Sequence, residues 1–465
     1  MERRRRDELR RLVRGGLCTL LLVLFSFMFG YVWDRYYSQG LWKEPFYAKG
    51  NVVMVIIYLI VAFLFFSVLG GLKIGTLRRT NVMLSQMVGI LCLHVVMYGQ
   101  MILLYRGLPP VMPLMLLTVS EVILIYAFSY IFDFILNVLF PPRELLVIYG
   151  EYPFQPICNK IESRKDKFLI GGSMNVSAGW EALQKEIDKF KDGGVVISDV
   201  HSEMRNRILK YCYAKEIRVY ITPKVSDILL RNAEPLHMFD TPLMLVRGSG
   251  LTIGQKFFKR LTDIVISLIM IVIASPFMLV AAILIKSYDH GPVLFKQKRL
   301  TEGRKEFYVY KFRSMIVDAE KDGVARLASA NDSRITPVGK FIRATRMDEL
   351  PQLFNILKGD MSIVGPRPER PEIAEEYEKE IPEFAFRLKV KAGLTGYAQI
   401  YGKYNTTAYD KLKLDLMYIE SYSFISDLKL ILSTLKIMFM KESTEGIDEK
   451  QTIAIHKKSE GEEND

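Results

Sequence analysis

The chain has 465 residues, half of them hydrophobic, with 63 Lys and Arg against 51 Asp and Glu for a formal charge of +12. That length allows two or three domains, and so much apolar sequence beside 25% charged residues argues against both an ordinary soluble enzyme and a pure transporter. The cations cluster beside apolar segments, which favours anionic lipids and phosphates as partners over nucleic acid, and the four cysteines contain no CxxC pair that would indicate zinc or a disulfide framework.

Four apolar runs come first, about Leu17–Trp33, Val52–Leu69, Val82–Leu104 and Val111–Leu139, each near the length that crosses a bilayer as a helix. The first has no small-residue cleavage site and reads as a retained anchor. Arg3, Arg4, Arg5, Arg6, Arg10, Arg11 and Arg14 precede it, Lys73, Arg78 and Arg79 lie between runs two and three, and Arg143 follows run four. The other loops are poorer in net positive charge, so the positive-inside rule places both ends of a four-helix domain, residues 1–142, in the cytoplasm. Glu121 and Asp133 fall in the fourth run. Intramembrane acids are often functional, but Glu121 could equally pair within the bundle and Asp133 could sit at the interface. His94, in run three, reads as a packing residue.

Residues 143–250 change to soluble α/β texture. Leu145–Tyr149, Phe168–Ile170, Val195–Ile197 and Val219–Ile221 read as short buried strands, separated by helical stretches such as Ala178–Phe190 and Glu203–Ala214. Alternation of that kind predicts a parallel, Rossmann-like sheet. The turn after the first strand, Tyr149-Gly150-Glu151-Tyr152-Pro153, lacks the GxGxxG fingerprint. Tyr211 and Lys215 have YxxxK spacing, which recurs by chance. A cofactor-free regulatory or oligomerising module is the expectation.

Asp263–Ile285 is long enough to cross a membrane, yet Lys256, Lys259 and Arg260 precede it and Lys286, Lys296, Lys298 and Arg299 follow. Both flanks prefer the cytoplasmic face. Ser275-Pro276 sits near the middle, where proline removes a helical hydrogen bond and serine can satisfy the freed carbonyl. A helix that enters one leaflet and returns fits this pattern; an ordinary kinked span is the alternative.

Residues 251–445 carry the residue types that phosphate chemistry needs. In Tyr310-Lys311-Phe312-Arg313, strand spacing puts Lys311 and Arg313 on one face, where they could grip a diphosphate or merely meet solvent. Arg343 and Arg346 precede the adjacent acids Asp348 and Glu349. Pro351 suits a helical first turn and Gly359 a helix stop, with Lys358 in the last turn. A helix beginning near Asp348 would keep a carboxylate ionised by its dipole; one longer helix kinked at Pro351 is the other geometry. Such an acid pair suits nucleophilic attack on phosphorus by one carboxylate and binding of Mg²⁺ by Asp348 and Glu349, although adjacent acids are also common on surfaces. Gly365-Pro366-Arg367-Pro368 fixes Arg367 in a rigid loop suited to a phosphate, or is a stiff connector. Leu428–Met440 is amphipathic, and the polar segment 446–465 reads as a disordered tail.

Together these blocks resemble the bacterial sugar transferase family, the monotopic polyprenyl-phosphate phosphoglycosyl transferases. The matching text is Gly291-Pro292-Val293, YKFRSM at 310–315, DELPQLFNILKGDMSIVGPRP at 348–368 and GLTGYAQ at 393–399. The order of four spans, α/β module and this domain resembles the large members that initiate O-antigen, capsule and exopolysaccharide synthesis. The resemblance implies a membrane helical bundle, a Rossmann-like module and an α/β catalytic domain with a re-entrant helix over 261–286, broken at Ser275 and Pro276. It implies transfer of a sugar-1-phosphate, galactose or glucose, from a UDP-sugar to undecaprenyl phosphate at the inner face of a bacterial inner membrane. Asp348 would be the nucleophile and UMP the product, with Glu349 handling metal or proton. Arg367 would contact phosphate, with Lys311 and Arg313 on a basic strand beside the site. A homodimer is implied in the same way. Arg299-Leu300-Thr301 replaces a usual Arg-Val-Gly, and Tyr397 a usual tryptophan. A membrane-bound nucleotide-sugar dehydratase, which would need a glycine fingerprint and bound NAD, and a non-catalytic assembly scaffold are the competing readings.

Overall fold

The computed structural model describes residues 2–38, 48–151, 154–238, 240–248, 250–317, 334–402 and 406–438; the expected disordered tail, 446–465, and the last residues of the expected catalytic segment lie outside them. The chain forms two compact units, Met1–Thr222 and Pro223–Asp465. Five helices among the described residues are long and apolar enough to cross a membrane, four in the first unit and one in the second.

In the first unit α1 (Glu2–Val32), α2 (Ala48–Leu69), α3 (Arg79–Tyr105) and α4 (Met112–Leu139) pack sequentially into a ring, α4 closing against α1. Their shared core is aromatic and aliphatic: Phe25, Phe29, Tyr58, Phe66, Leu93 and Met97 are fully buried. Glu121 is buried too, and the structure settles its partners. Tyr58 donates to Oε1 at 2.6 Å, His94 Nε2 lies 3.2 Å from Oε2, and His94 Nδ1 is 2.6 Å from Thr118 Oγ1. Inside lipid such a group must be satisfied by protein, so the cluster reads as internal bracing of the bundle. Asp133 lies 3.8 Å from Arg79.

The α/β module has β1 (Arg143–Tyr149), α5 (Gln155–Glu162), β2 (Phe168–Asn175), α6 (Trp180–Lys189), β3 (Gly194–Ser198), α7 (Ser202–Ala214) and β4 (Val219–Ile221). The sheet is all parallel in the order β2-β1-β3-β4. Central β1 is buried on both faces from Leu145 to Ile148, which is why it reads as an uninterrupted apolar run. Lys215 is held by Asp188 at 2.7 Å and Tyr211 stands edge-on to Trp180, a surface arrangement that accounts for the YxxxK pair.

The sheet ends at Ile221, not near residue 250. The next helix, α8 (Val225–Arg231), buries Val225 and Ile228 in the core of the second unit, and a hairpin of β5 (Glu234–Met238) and β6 (Thr241–Leu245) follows. Then comes α9 (Ile253–Asp289), started by a capping box in which Thr252 and Gln255 satisfy each other's backbone N–H. The remaining elements are an antiparallel pair, β7 (Leu294–Leu300) and β8 (Glu306–Phe312), then α10 (Pro337–Ala344), α11 (Gln352–Lys358), β9 (Ser362–Val364), α12 (Pro371–Glu380), β10 (Gly393–Thr395), α13 (Tyr397–Tyr401), α14 (Ala408–Glu420) and α15 (Phe424–Met438). Strands β9 and β10 pair in parallel. Helix α15 buries Leu430 in the core and leaves Phe424, Ile425 and Leu435 exposed, so its amphipathic stretch serves core packing on one side.

Helix α9 is continuous through Pro276 rather than split at the Ser275-Pro276 pair. Proline has no N–H for the carbonyl four residues back, and that carbonyl, Val272 O, instead accepts from Ser275 Oγ at 2.9 Å. Both ends of the helix grip the rest of the second unit. Near its start Arg260 donates to the carbonyls of Ile356 and Leu357 at 2.5 and 2.6 Å, capping α11. Asp263 accepts from Ser362 Oγ and Ile363 N at 3.0 Å each, and Lys259 is buried against Asp427 at 2.6 Å. Near its end Ala281 and Ile285 pack on Phe312 and Ile342. Between these anchors Leu268, Val272, Phe277 and Leu279 remain exposed, a wide apolar face.

Candidate active site

The dyad sits where three pieces of chain converge. Arg346 adopts a left-handed conformation with φ of 60°, which ends α10 and turns the chain into a single 3₁₀ turn, Met347–Glu349. Helix α11 begins only at Gln352, behind Pro351, and stops at Gly359 with φ of 97° as expected. The dyad therefore precedes α11 by a turn instead of occupying its first turn, and neither of the two helix geometries drawn from sequence is adopted.

The charge on the dyad is set by side chains. Arg367 donates to Glu349 Oε1 at 2.8 Å and Lys311 Nζ lies 3.6 Å from the same oxygen. Burial opposes the ionised form of Glu349, but Arg367, Lys311 and Arg346 outweigh it and hold its carboxyl far below the ordinary range. Asp348 moves the other way. Burial, then the neighbouring Glu349 charge, pushes its carboxyl above the ordinary range against the pull of Lys311, Arg343 and Arg346. One carboxylate is thus fixed as an anion by two cations, and the other is more basic than a free aspartate while ringed by positive charge.

Lys311 reaches this spot because β8 presents Phe307, Val309 and Lys311 on its inner face, the first two deep in the core. Arg313 does not. The strand ends at Phe312, and the Arg313 guanidinium is ion-paired with Asp289 at the end of α9, whose carboxylate also accepts from Gly291 N. Of the two cations expected on one face, Lys311 joins the dyad and Arg313 ties the membrane helix to the strand.

The loop bearing Arg367 is fixed by backbone proximity. Gly365 N donates to Thr395 O at 2.8 Å and Gly393 N to Pro366 O at 2.9 Å. A Cβ on Gly365 would meet the Lys391 carbonyl, and one on Gly393 the Gly365 backbone, so only glycine lets these chains approach. Thr301, at a position where the resemblance departs from the usual pattern, links Asp360 O and Ala392 N through its hydroxyl at 2.9 and 3.1 Å, a structural task. Tyr397 packs against Tyr401 and Tyr418.

The description "Bacterial sugar transferase" matches residues 254–441, the stretch that holds the dyad, Lys311, Arg367 and α9. A Bacillus subtilis protein provisionally named as an undecaprenyl-phosphate N-acetylgalactosaminyl 1-phosphate transferase is 53% identical over 130 residues, 28% of this chain and 72% of that one. The chain belongs to the bacterial sugar transferase family. Longer alignments join this transferase chain to an Aeromonas hydrophila UDP-N-acetylgalactosamine-undecaprenyl-phosphate N-acetylgalactosaminephosphotransferase, 37% identical over 306 residues, 63% of this chain and 66% of that one. An Escherichia coli K12 UDP-glucose:undecaprenyl-phosphate glucose-1-phosphate transferase is 40% identical over 221 residues, 46% of this chain and 47% of the other. This chain spans about half to two thirds of the length of such long relatives.

Two residues that hold this candidate site together carry no local signal of their role. Asn355, fully buried on α11, accepts from Tyr310 N at 2.9 Å and donates to Tyr308 O at 2.8 Å. Its amide thus replaces a neighbouring strand for β8 and holds the Lys311 strand to the segment that carries the dyad. Asn355→Ala would leave both backbone groups without their partner, and a loss of about 2–4 kcal/mol is expected from two orphaned polar groups, measured by chemical denaturation of the purified protein. Arg387 is the second. It donates to Asp415 through Nε at 3.0 Å and Nη2 at 2.7 Å, and Nη2 also reaches the Arg367 carbonyl at 3.0 Å.

Proposed function

We propose that the protein transfers a hexose-1-phosphate from a UDP-sugar to undecaprenyl phosphate at the cytoplasmic face of the inner membrane, with Asp348 as nucleophile. The observation that carries this reading is the asymmetric dyad: a half-buried Asp348 beside a Glu349 held by Arg367 at 2.8 Å and Lys311 at 3.6 Å. In the first half-reaction an Asp348 oxygen bonds to the sugar-bearing phosphorus, the bond from that phosphorus to the bridging oxygen breaks, and UMP leaves with the bridging electron pair. In the second, a phosphate oxygen of undecaprenyl phosphate attacks the same phosphorus and Asp348 departs as carboxylate. Arg367 and Lys311 stand where they can donate to phosphoryl oxygens as charge develops, and Arg343 and Arg346 favour the ionised nucleophile.

Mg²⁺ takes one or two carboxylates and completes its shell with phosphate oxygens and water. Asp348 and Glu349 are the carboxylates that would hold such a cation, and it would supply charge neutralisation to the donor's diphosphate; among the described residues no three acidic, His or Cys side chains cluster into a ready-made cage. Chelation with EDTA is expected to stop UMP release and added Mg²⁺ to restore it; release that survives chelation would remove the ion from the scheme.

The relatives are named for glucose, galactose and N-acetylgalactosamine, and the product would be the first lipid-linked sugar of a surface polysaccharide, with galactose or glucose as the favoured donor sugar. Purified protein, undecaprenyl phosphate and a panel of UDP-sugars, read out by UMP release and by lipid-linked product, tests the proposal. Release with at least one UDP-hexose, and a burst of one UMP per chain without lipid acceptor, are expected. A panel that yields no UMP and no lipid-linked product would reject the transferase reading and favour the scaffold.

A further inference from the structure

A second concentration of positive charge lies wholly within the first unit, and the transfer chemistry makes no use of it. A cavity of about 420 Å³ is lined by Arg10, Arg11 and Arg14 of α1, Gly75 and Thr76 of the turn before α3, Arg143 and Phe168 of the sheet, Arg164, Lys167 and Arg218, with Asp7 as its one carboxylate. Seven cations thus face one acid. That acid is committed, since Asp7 pairs with both Arg143, at 2.7 Å, and Arg218. Arg164 is satisfied by Asp166. The Nε donors of Arg10 and Arg14 are buried with no acceptor.

Crowding like charges around one cavity is unfavourable unless a counter-charge enters. The Lys167 amine, pushed first by burial and then by Arg164, Arg14 and Arg10, falls to about 7. The volume is that of a small-molecule site, and guanidinium groups are the side chains best matched to phosphate oxygens.

We propose that this cavity is a binding site for a ligand bearing several phosphate oxyanions, held by Arg10, Arg14, Lys167 and their neighbours. The α1 apolar run begins at Leu17, about one turn beyond Arg14, which puts Arg14 beside the start of that run, where the phosphate chemistry of a lipid headgroup and of a soluble polyphosphate are both candidates. The recognising chemistry is the same for the two.

The full-length protein in phosphatidylcholine nanodiscs, titrated calorimetrically with inorganic triphosphate, tests this independently of any UDP-sugar turnover. Wild type is expected to bind. Arg14→Gln/Lys167→Gln is expected to weaken binding by roughly tenfold or more, from lost charge-assisted contacts, and Arg11→Gln, at the exposed rim, to weaken it less. Lys210→Gln, exposed on α7, is expected to bind as wild type does. Because it relieves like-charge repulsion, the double variant should melt no lower than wild type without anion, which separates lost binding from lost folding. Phosphatidylglycerol in the nanodisc distinguishes the sources: suppression of triphosphate binding identifies a headgroup as occupant, and undiminished binding a soluble polyphosphate. No triphosphate binding to wild type, or equal affinity in the folded double variant, would overturn the proposal.

Discussion

Asp348→Asn is expected to abolish UMP release from every UDP-sugar, a loss of about 10³-fold or more, while making the protein more stable. The two effects have one cause. Burial and the Glu349 charge raise the Asp348 carboxyl above the ordinary range, so the folded protein disfavours the ionised form. A raised folded value contributes stability at pH below the unfolded carboxyl's titration and loses it as pH rises through the folded value. At neutral pH that contribution is gone and the anion is carried at a cost. Asparagine is nearly isosteric and uncharged, and a gain of about 0.5–2 kcal/mol is expected, the usual return on relieving a strained functional group. Turnover retained by this variant would reject the nucleophile assignment; a stability loss would reject the electrostatic account of it.

The same coupling predicts the pH profile. Asp348 must be ionised to attack, so turnover falls as pH drops through its raised value, at a pH above the ordinary carboxylate range. Glu349→Gln removes one source of that rise and releases Lys311 and Arg367 from their anion, so any residual activity should show its acid limb at lower pH. A limb that stays in place, measured on single-turnover UMP release, would assign it to another group.

How far the sequence speaks depends on whether a feature is local. The spanning helices are legible because long apolar runs mark them, although α1 begins at Glu2, well before the run at Leu17, and central β1 and β3 are legible because burial on both faces makes an uninterrupted apolar run. That Arg367 meets Glu349 is anticipated by the specific string in which both lie. Arg313 shows where the reasoning stops. Alternation placed it beside Lys311, but the strand ends one residue earlier and its partner, Asp289, lies 24 positions back, a pairing that no period encodes. The placement of α8 is illegible for a similar reason: it has ordinary helical texture, and only the distant α14 and its neighbours make Val225 and Ile228 core residues of the second unit.

Arg387→Met is expected to cost about 3–5 kcal/mol, the range for leaving a buried charge without its partner. Arg387 and Asp415 are both almost inaccessible, at 3% and 1%, and burial pushes the Asp415 carboxyl up while Arg387 holds it down. Without the guanidinium Asp415 rises further and takes a proton at moderately acid pH. Its contribution is then present below the unfolded carboxyl's titration and lost as pH rises through the folded value, so the deficit of the variant should widen from mildly acid to neutral pH. Arg387→Met/Asp415→Leu removes both charges, and buried pairs replaced by apolar residues are often neutral in stability; recovery of most of the lost stability is expected. Activity should not recover with it, because the bond from Arg387 to the Arg367 carbonyl is still missing and the arginine beside Glu349 is no longer held in place. A double variant that regains both stability and kcat would confine Arg387 to folding; one that regains stability alone makes it a positioning residue for the phosphate-facing loop.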